Sequence, residues 1–567
     1  MRRHALALLV SCLLTASAQS QPTATASIGA PDARIDSVFA FIRPDAPGCA
    51  VGVYRNGELA WARGYGLASL EHQLPITPRT VFDLGSTGKQ FTAALTLLLV
   101  ADGQLELDAP VRRYIPELPA WADTTTVRHL LHHTAGVRDY LTLFSAGGIR
   151  TQDWTTQADA VRAVARQRAL DFAPGSAHSY SNSGYMLLAE IIARRSGKPY
   201  AQVARERLFT PLGMTRSIIL DNHATIVPGK AGSYSPAPNG AFMAELSNFE
   251  QVGDGAVQTS LEDLAKWIKN FESPTVGGAA LIRELETTGT AGGKPIRYAR
   301  GLQVDSVRGL RRVRHGGAWV GFRADLARIP DKRLGVATLC NRSDANTGAL
   351  VDGVMNAVLD DAGVSRAVVS AATPNGGNTA APTPVRVPNA NRYAGTYFSP
   401  TTGRTTRLQA RNDSLSIGLG GPPLFLRPDS DGAFIVVRAL QPTTVRFTTT
   451  ASRNDSIAGF VIDLGGTTDT FERFDPARPL DESARRSLTG AWYSEELDVT
   501  WRFSADSAGR LVNQMPRRPA APVQRMNETI VRAGPYLLTL ERDPAGTITA
   551  FTVSAGRAKG MRFVRAR

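Results

Sequence analysis

Ser86 and Lys89 stand three residues apart in Phe82-Asp83-Leu84-Gly85-Ser86-Thr87-Gly88-Lys89-Gln90-Phe91-Thr92, just before a nearly continuous apolar run. Side chains three apart on a helix share a face, so a hydroxyl and an amine meet there in a partly desolvated site. An amine so placed, beside the positive end of a helix, holds its proton less firmly, and Lys89 is positioned to take the hydroxyl proton of Ser86. The same helix end favours the negative charge that develops on a carbonyl oxygen under attack. Two other chemistries fit less well. Ser86-Thr87-Gly88-Lys89 has the look of a phosphate-cradling loop, but Asp83 occupies the place of its first glycine and Gln90 that of the magnesium-ligating Ser or Thr. His129, His132 and His133 would bring two imidazoles onto one helix face, yet there is no His-Glu-x-x-His and no evident third ligand. They read as a structural turn, and neither a metal nor a cofactor is expected.

The elements that must hold Ser86 are legible on both sides of it. Apolar spacing at Ile35, Val38, Phe39, Phe41 and Ile42 predicts a helix over 31–42, broken by Pro47-Gly48. Strands over 49–54 and 58–64 follow, joined at Asn56-Gly57, the dipeptide best suited to a tight hairpin. The apolar run over 90–100 predicts a helix buried on most sides, ended by Asp102-Gly103, with Ser86 at its start. Much further on come strands over 321–329 and 334–340, a Pro330-Asp331 turn between them, and a helix over 349–359. Residues 369–389, rich in Ala, Pro, Thr, Gly and Asn, read as a linker. Beyond it, Tyr393-Ala394-Gly395-Thr396-Tyr397-Phe398-Ser399 recurs 95 residues later as Leu488-Thr489-Gly490-Ala491-Trp492-Tyr493-Ser494. Short alternating strands follow both copies, which predicts two small all-β barrel-like modules over 390–478 and 479–567.

With 567 residues, 43% hydrophobic and 20% charged, the chain is neither fibrous nor wholly disordered. Its formal charge of +14 is scattered, without a Lys/Arg run or interleaved aromatics, which argues against nucleic acid and fits attraction to anionic cell-envelope surfaces. Arg2-Arg3-His4, an apolar run over 5–14 and Ala16-Ser17-Ala18 form the pattern of a signal peptide over 1–18, leaving 19–30 unstructured and the protein exported, periplasmic or secreted. The run is too short to span a bilayer and continues past the lipoprotein-like Leu9-Val10-Ser11-Cys12; no transmembrane segment is read elsewhere. Cys49 and Cys340 then lie where thiols can be oxidised, free to pair or to remain buried thiols.

The Ser86 segment, with its preceding Phe, its Gly-Ser pair and its trailing Phe-Thr, is similar to the nucleophile motif of the serine β-lactamase and penicillin-binding-protein family, which includes class C β-lactamases, D,D-carboxypeptidases, D-aminopeptidases and esterases. The resemblance spans 31–368 and continues in order. Arg128-His129-Leu130-Leu131-His132-His133-Thr134-Ala135-Gly136 is similar to the family's Leu-Leu-x-His-Thr-x-Gly turn, and Phe172-Ala173-Pro174-Gly175 leads into Tyr180-Ser181-Asn182, which resembles Tyr-x-Asn. Arg314-His315-Gly316-Gly317-Ala318 resembles the third motif. The resemblance implies an α+β hydrolase domain, an antiparallel sheet flanked by helices with an all-helical lobe. It implies that Tyr180 shares proton transfer with Lys89, that Asn182 binds the substrate amide, and that His315, Gly316, Gly317 and Ala318 wall the site. The N–H groups of Ser86 and Ala318 would form the oxyanion hole, and Gly255 would serve tight packing near the pocket. Cys49 and Cys340 would sit on neighbouring antiparallel strands, near enough for a disulfide. Many members carry Lys-Thr-Gly or Lys-Ser-Gly at the third motif. Here a histidine, partly charged at neutral pH, and Gly316 replace the cation and hydroxyl, and Gly88 stands where Ser or Thr commonly precedes the lysine. This pattern looks more like D-aminopeptidases and esterases. The expectation is an exported serine hydrolase that forms an acyl-enzyme on Ser86 with a small-molecule or peptide substrate, cell-wall fragments among the candidates. β-Lactamase or D,D-carboxypeptidase activity, and a non-catalytic cell-wall binder that keeps the fold, are the alternatives; oligomeric state is open.

Overall fold

Strands over 49–55, 322–329 and 334–340 are buried along almost their whole length, as continuous apolar runs require when both faces of a sheet are covered. The computed structural model describes residues 27–28, 32–365, 385–419, 423–437, 443–449, 456–464 and 468–566. The expected signal peptide, most of 19–30 and most of the 369–389 linker lie outside the described residues. One antiparallel seven-stranded sheet is built from β1 (Ser27–Ile28), β2 (Cys49–Arg55), β3 (Glu58–Tyr65), β4 (Gln303–Val307), β5 (Leu310–Trp319), β6 (Phe322–Ile329) and β7 (Leu334–Cys340), in the order β1-β3-β2-β7-β6-β5-β4. The order puts the sheet's first and last long strands side by side, with Cys49 directly opposite Cys340. The two are joined in a disulfide.

Asn56 and Gly57 both take positive φ, 52° and 77°, the pair a two-residue hairpin turn needs to match strand twist. Ser27–Ile28 departs from the expectation of an unstructured 19–30: it pairs with Arg63 and Ala62, because the outer edge of β3 has unpaired backbone groups to offer. The first helix is also shorter than 31–42. α1 (Ala33–Val38) starts where Asp32 accepts from the N–H groups of Arg34 and Ile35, and ends so that Phe39 can turn down and stack on Tyr65.

Layers close on both faces. On one, α1 and the helix Thr347–Asp361 bury Ile35, Phe39, Val351, Val354 and Met355 against Val51, Val53 and Val336. On the other lie α2 (Lys89–Ala101), its residues 89–99 all buried, the helix Leu261–Glu272 and a helical lobe containing Tyr140–Ala146 and Asn182–Ser196. No helix among the described residues is long and apolar enough to cross a membrane.

The two trailing modules are closed eight-stranded antiparallel barrels, running from Gly395–Phe398 to Thr468–Phe474 and from Gly490–Ser494 to Ala558–Arg565. The repeat seen in sequence opens each: Tyr397 and Trp492, 95 residues apart, occupy equivalent places in the first strands and are fully buried. The cores differ in their company. The first barrel has an apolar core of its own, whereas that of the second, with Trp492, Trp501 and Phe551, is continuous with the hydrolase core, and the Trp501 indole donates to the carbonyl of Ala146 at 3.0 Å.

Candidate active site

Ser86 sits on a 3₁₀ turn, Gly85–Gly88, that feeds directly into α2. Three residues per turn eclipse positions i and i+3, which sets Lys89 beneath Ser86. Lys89 is fully buried, and its Nζ lies 3.1 Å from Ser86 Oγ, 2.9 Å from Asn182 Oδ1 and 2.6 Å from the carbonyl oxygen of Asp254. Two of these partners can only accept; the third is a hydroxyl that can also donate. As an ammonium, Lys89 donates to all three. As a neutral amine it still donates to Asn182 and Asp254 and turns its lone pair toward the Ser86 hydroxyl. Both charge states are satisfied in one geometry, so a proton can pass between Ser86 and Lys89 without rearrangement.

The Asp254 carbonyl is aimed by its neighbour. Gly253 has φ +95°, and a Cβ there would come within 2.4 Å of the Tyr185 carbonyl oxygen and 2.5 Å of Ala189 Cβ. Gly255, expected to be the tightly packed position, has ordinary clearance, 3.5 Å to the nearest atom. The strict glycine is Gly253, where a positive φ and the close approach of Tyr185 and Ala189 both exclude a side chain. The Asp254 carboxyl accepts from the Tyr140 hydroxyl at 3.1 Å and is pushed up to about 6 by burial. Gly88 has a local cause too: a Cβ there would meet Val257 Cγ2 at 2.8 Å.

Asn182 opens its helix, its N–H donating to Asp139 Oδ2 at 2.7 Å. Asp139 Oδ1 caps the helix Tyr140–Ala146 through Thr142 N–H, so one carboxylate fixes two helix starts. Tyr180 leans over Lys89, with Nζ 5.0 Å from its ring centroid. Its hydroxyl is buried and has no hydrogen-bond partner among the described residues, which leaves it available to a substrate. The ring is backed at 4.1 Å by His133, which takes φ +57° and accepts the Ser181 N–H at 3.2 Å. Burial pushes His133 well below the usual imidazole range, so it is a neutral prop. Its neighbours are also structural: His129 completes a capping box with Thr126, and His132 packs against Gly289.

The third motif lies on β5. A Cβ on Gly317 would fall 1.9 Å from the Leu84 carbonyl oxygen, and one on Gly85, φ +49°, 2.7 Å from Ala318 N. Strand and Ser86 turn therefore touch backbone to backbone, with Ala318 beside that turn, and the Thr87 hydroxyl ties them by donating to the His315 carbonyl at 3.1 Å. The His315 ring is fixed at both nitrogens: Nδ1 is 2.7 Å from the Gly316 carbonyl, which only accepts, so Nδ1 carries the proton and Nε2 accepts from the Tyr298 hydroxyl at 3.0 Å. Burial, reinforced by nearby Lys89, pushes His315 down to about 3. The partial charge expected at neutral pH is thus corrected: His315 is a neutral wall.

Ser86, Tyr180, Asn182 and the 315–318 stretch all line one cavity of about 1050 Å³. One part of its wall was not foreseeable from any motif. Arg557, between the last two strands of the second barrel, also lines the cavity, its guanidinium 4.6 Å from the Tyr180 ring centroid and its carbonyl accepting the Asp139 N–H at 2.9 Å. Around this contact, buried Arg138 bonds to Glu496 at 2.9 Å, to Gln167 at 2.8 Å and to Asp171 at 3.3 Å, binding barrel and lobe together.

A family model described as Beta-lactamase matches residues 35–357. A D-aminopeptidase of Gluconobacter oxydans is 31% identical over 300 residues, 53% of this chain and 56% of that protein, so this match spans little more than half of that relative. A D-aminopeptidase of Brucella canis is 26% identical over 537 residues, 92% of this chain and 96% of that protein. The octameric penicillin-binding protein homologue from Pyrococcus abyssi shares the fold, with a TM-score of 0.54 at 23% identity over 78% of this chain and 98% of its own.

Proposed function

The chain belongs to the Beta-lactamase family and is a serine hydrolase, and we propose that it acts as a D-aminopeptidase through an acyl-enzyme on Ser86. The arrangement of Lys89 carries this reading: a buried amine with two pure acceptors and one hydroxyl is set to take the proton of Ser86. Ser86 Oγ attacks the substrate carbonyl as that proton passes to Lys89. The N–H groups of Ser86 and Ala318 face the oxyanion, and Asn182 holds the substrate amide. The proton leaves Lys89 through the unpartnered Tyr180 hydroxyl to the departing nitrogen, the C–N bond breaks, and an ester on Ser86 remains. Water, giving up its proton along the same path, then releases the acid and restores the Ser86 hydroxyl.

Two observations support an aminopeptidase over a β-lactamase. The relative aligned along 92% of the chain is named a D-aminopeptidase, and neutral His315 offers no charge to a carboxylate at the third motif. Glu245, on the cavity wall and without an ion pair among the described residues, supplies a carboxylate for a free amino group. Export is part of the proposal, supported by the leader pattern and by the Cys49–Cys340 disulfide, which suits an oxidising compartment. The test is to incubate the wild type and Ser86→Ala with a fluorophosphonate and with D-amino-acid amides and simple esters. Labelling of the wild type alone, with faster turnover of the amides, is expected. Turnover that survives Ser86→Ala refutes the nucleophile, and a preference for simple esters refutes the aminopeptidase.

A further inference from the structure

The third motif gives a substrate carboxylate no cation, since His315 is neutral and Arg314 is committed to Asp325 and Asp352. Lys230, also on the wall, is pushed below the usual lysine range by burial, with the charge of Asp83 acting against that, and so is the weaker cation. Arg557 is different. Its side chain makes no ion pair or hydrogen bond among the described residues, and the acceptor bond from Asp139 N–H fixes its backbone at the cavity. It approaches Tyr180 at 4.6 Å from the ring centroid. A guanidinium drawn to a ring by the cation–π attraction spends no N–H group on it, which leaves those groups free for two parallel bonds to a carboxylate. The side of the reacting carbonyl it commands follows from Tyr180: the group that protonates the departing nitrogen borders the leaving group, so a cation on that ring borders it as well.

We infer that Arg557 of the second barrel binds a carboxylate on the leaving group, so that the preferred substrates are short peptides whose released part is an amino acid with a free α-carboxylate. The inference rests on the roles given above to Ser86 and Tyr180, and it adds a specificity residue from a different module. Arg557 touches neither Ser86 nor Lys89 through any hydrogen bond, so its effect falls on which substrate is chosen.

The decisive pair of substrates is D-alanyl-D-alanine and D-alanyl-D-alaninamide, which share the scissile bond and differ in the terminal charge. With the full chain, the wild type favours the free acid. Arg557→Ala is expected to lower kcat/KM on the acid by about 10- to 100-fold more than on the amide, chiefly through KM, the loss of a charge-assisted hydrogen-bond pair. Arg557→Lys restores part of the preference. Equal losses on both substrates would assign Arg557 to holding Tyr180 alone and overturn the carboxylate role. Fluorophosphonate labelling separates the two levels. A wild type that is labelled at Ser86 but shows no preference for the acid overturns this inference and leaves the nucleophile standing, whereas a wild type that is not labelled overturns both.

Discussion

Gly316 and Gly317 are adjacent, chemically identical and both at ordinary negative φ or extended backbone, yet one added methyl should have opposite consequences at the two positions. A Cβ on Gly317 would lie 1.9 Å from the Leu84 carbonyl oxygen and 2.9 Å from Thr87 Oγ1, and ordinary contact begins near 3.4 Å, so β5 and the nucleophile turn must part by about 1.5 Å. Neither neighbour is a flexible side-chain end that can swing away without cost: one is backbone, and the other is the hydroxyl that ties the turn to the His315 carbonyl. Displacing Ser86 from Ala318 by about 1 Å costs on the order of 100-fold in rate, or about 2.7 kcal/mol of transition-state stabilisation. Overpacking should also lower folding stability by about 1 to 3 kcal/mol. At Gly316 the nearest atom to a new Cβ is Asp325 Oδ2, 3.3 Å away at the end of a side chain, and the next is at 3.8 Å. Gly316→Ala should therefore retain kcat/KM within a few-fold. The assays are steady-state hydrolysis of a D-amino-acid amide, the rate of fluorophosphonate labelling, and thermal unfolding to establish that both variants fold. If Gly317→Ala keeps wild-type labelling and turnover, or if Gly316→Ala is the more damaging, the strand does not set the position of the nucleophile and the reasoning fails.

Tyr180→Phe removes the unpartnered hydroxyl but keeps the ring against His133, so kcat should fall by about 10²- to 10⁴-fold with little change in melting temperature; near-wild-type kcat would take Tyr180 out of proton transfer. Replacing both Cys49 and Cys340 by Ala, which opens a link across 291 residues of sequence, should cost about 2 to 4 kcal/mol in urea unfolding, and the loss should match that of the reduced wild type. Burial holds His315 at about 3, His132 at about 4 and His133 well below the usual range, so between about 6.5 and 4 the unfolded chain takes up protons that the native state refuses. The stability tied to these neutral rings is full above about pH 6.5 and is lost as the pH falls, while Asp254, held at about 6, works in the opposite direction between about 6 and 3.8. The urea midpoint should therefore drop from pH 7 to pH 5, and less steeply in His315→Gln; a flat profile for the wild type would refute the buried neutral imidazoles.

The Ser86 and Lys89 pair was readable because its logic is local: two residue types, three positions apart, at the start of one apolar helix. The barrels were readable for a similar reason, since each carries its own turn and aromatic signals and the second copy repeats the first. What escaped the sequence depends on partners brought from afar. His315 is identifiable as a residue, but its lost charge follows from complete burial, reinforced by the nearby charge of Lys89. Gly253 and Gly255 look alike in a string of letters, and only the folded backbone angle and the packing of Tyr185 and Ala189 separate them. His133 could be read as part of a turn, though not as the support behind Tyr180. Arg557 has no motif around it, in a chain with many arginines, and becomes significant only through the docking of the second barrel on Asp139.

That docking has a consequence for the order of biosynthesis. Ser86 and Arg557 are separated by 471 positions, and ribosomes deliver chains from the amino end. A polypeptide made as far as the last helix of the hydrolase domain, Thr347–Asp361, can already set Ser86 against β5, but its cavity stays open on one side and Asp139 lacks its acceptor until the second barrel has been made and has closed against the lobe. The cavity is thus completed late, and a product truncated before the second barrel would present Tyr180 to solvent without the Arg557 wall.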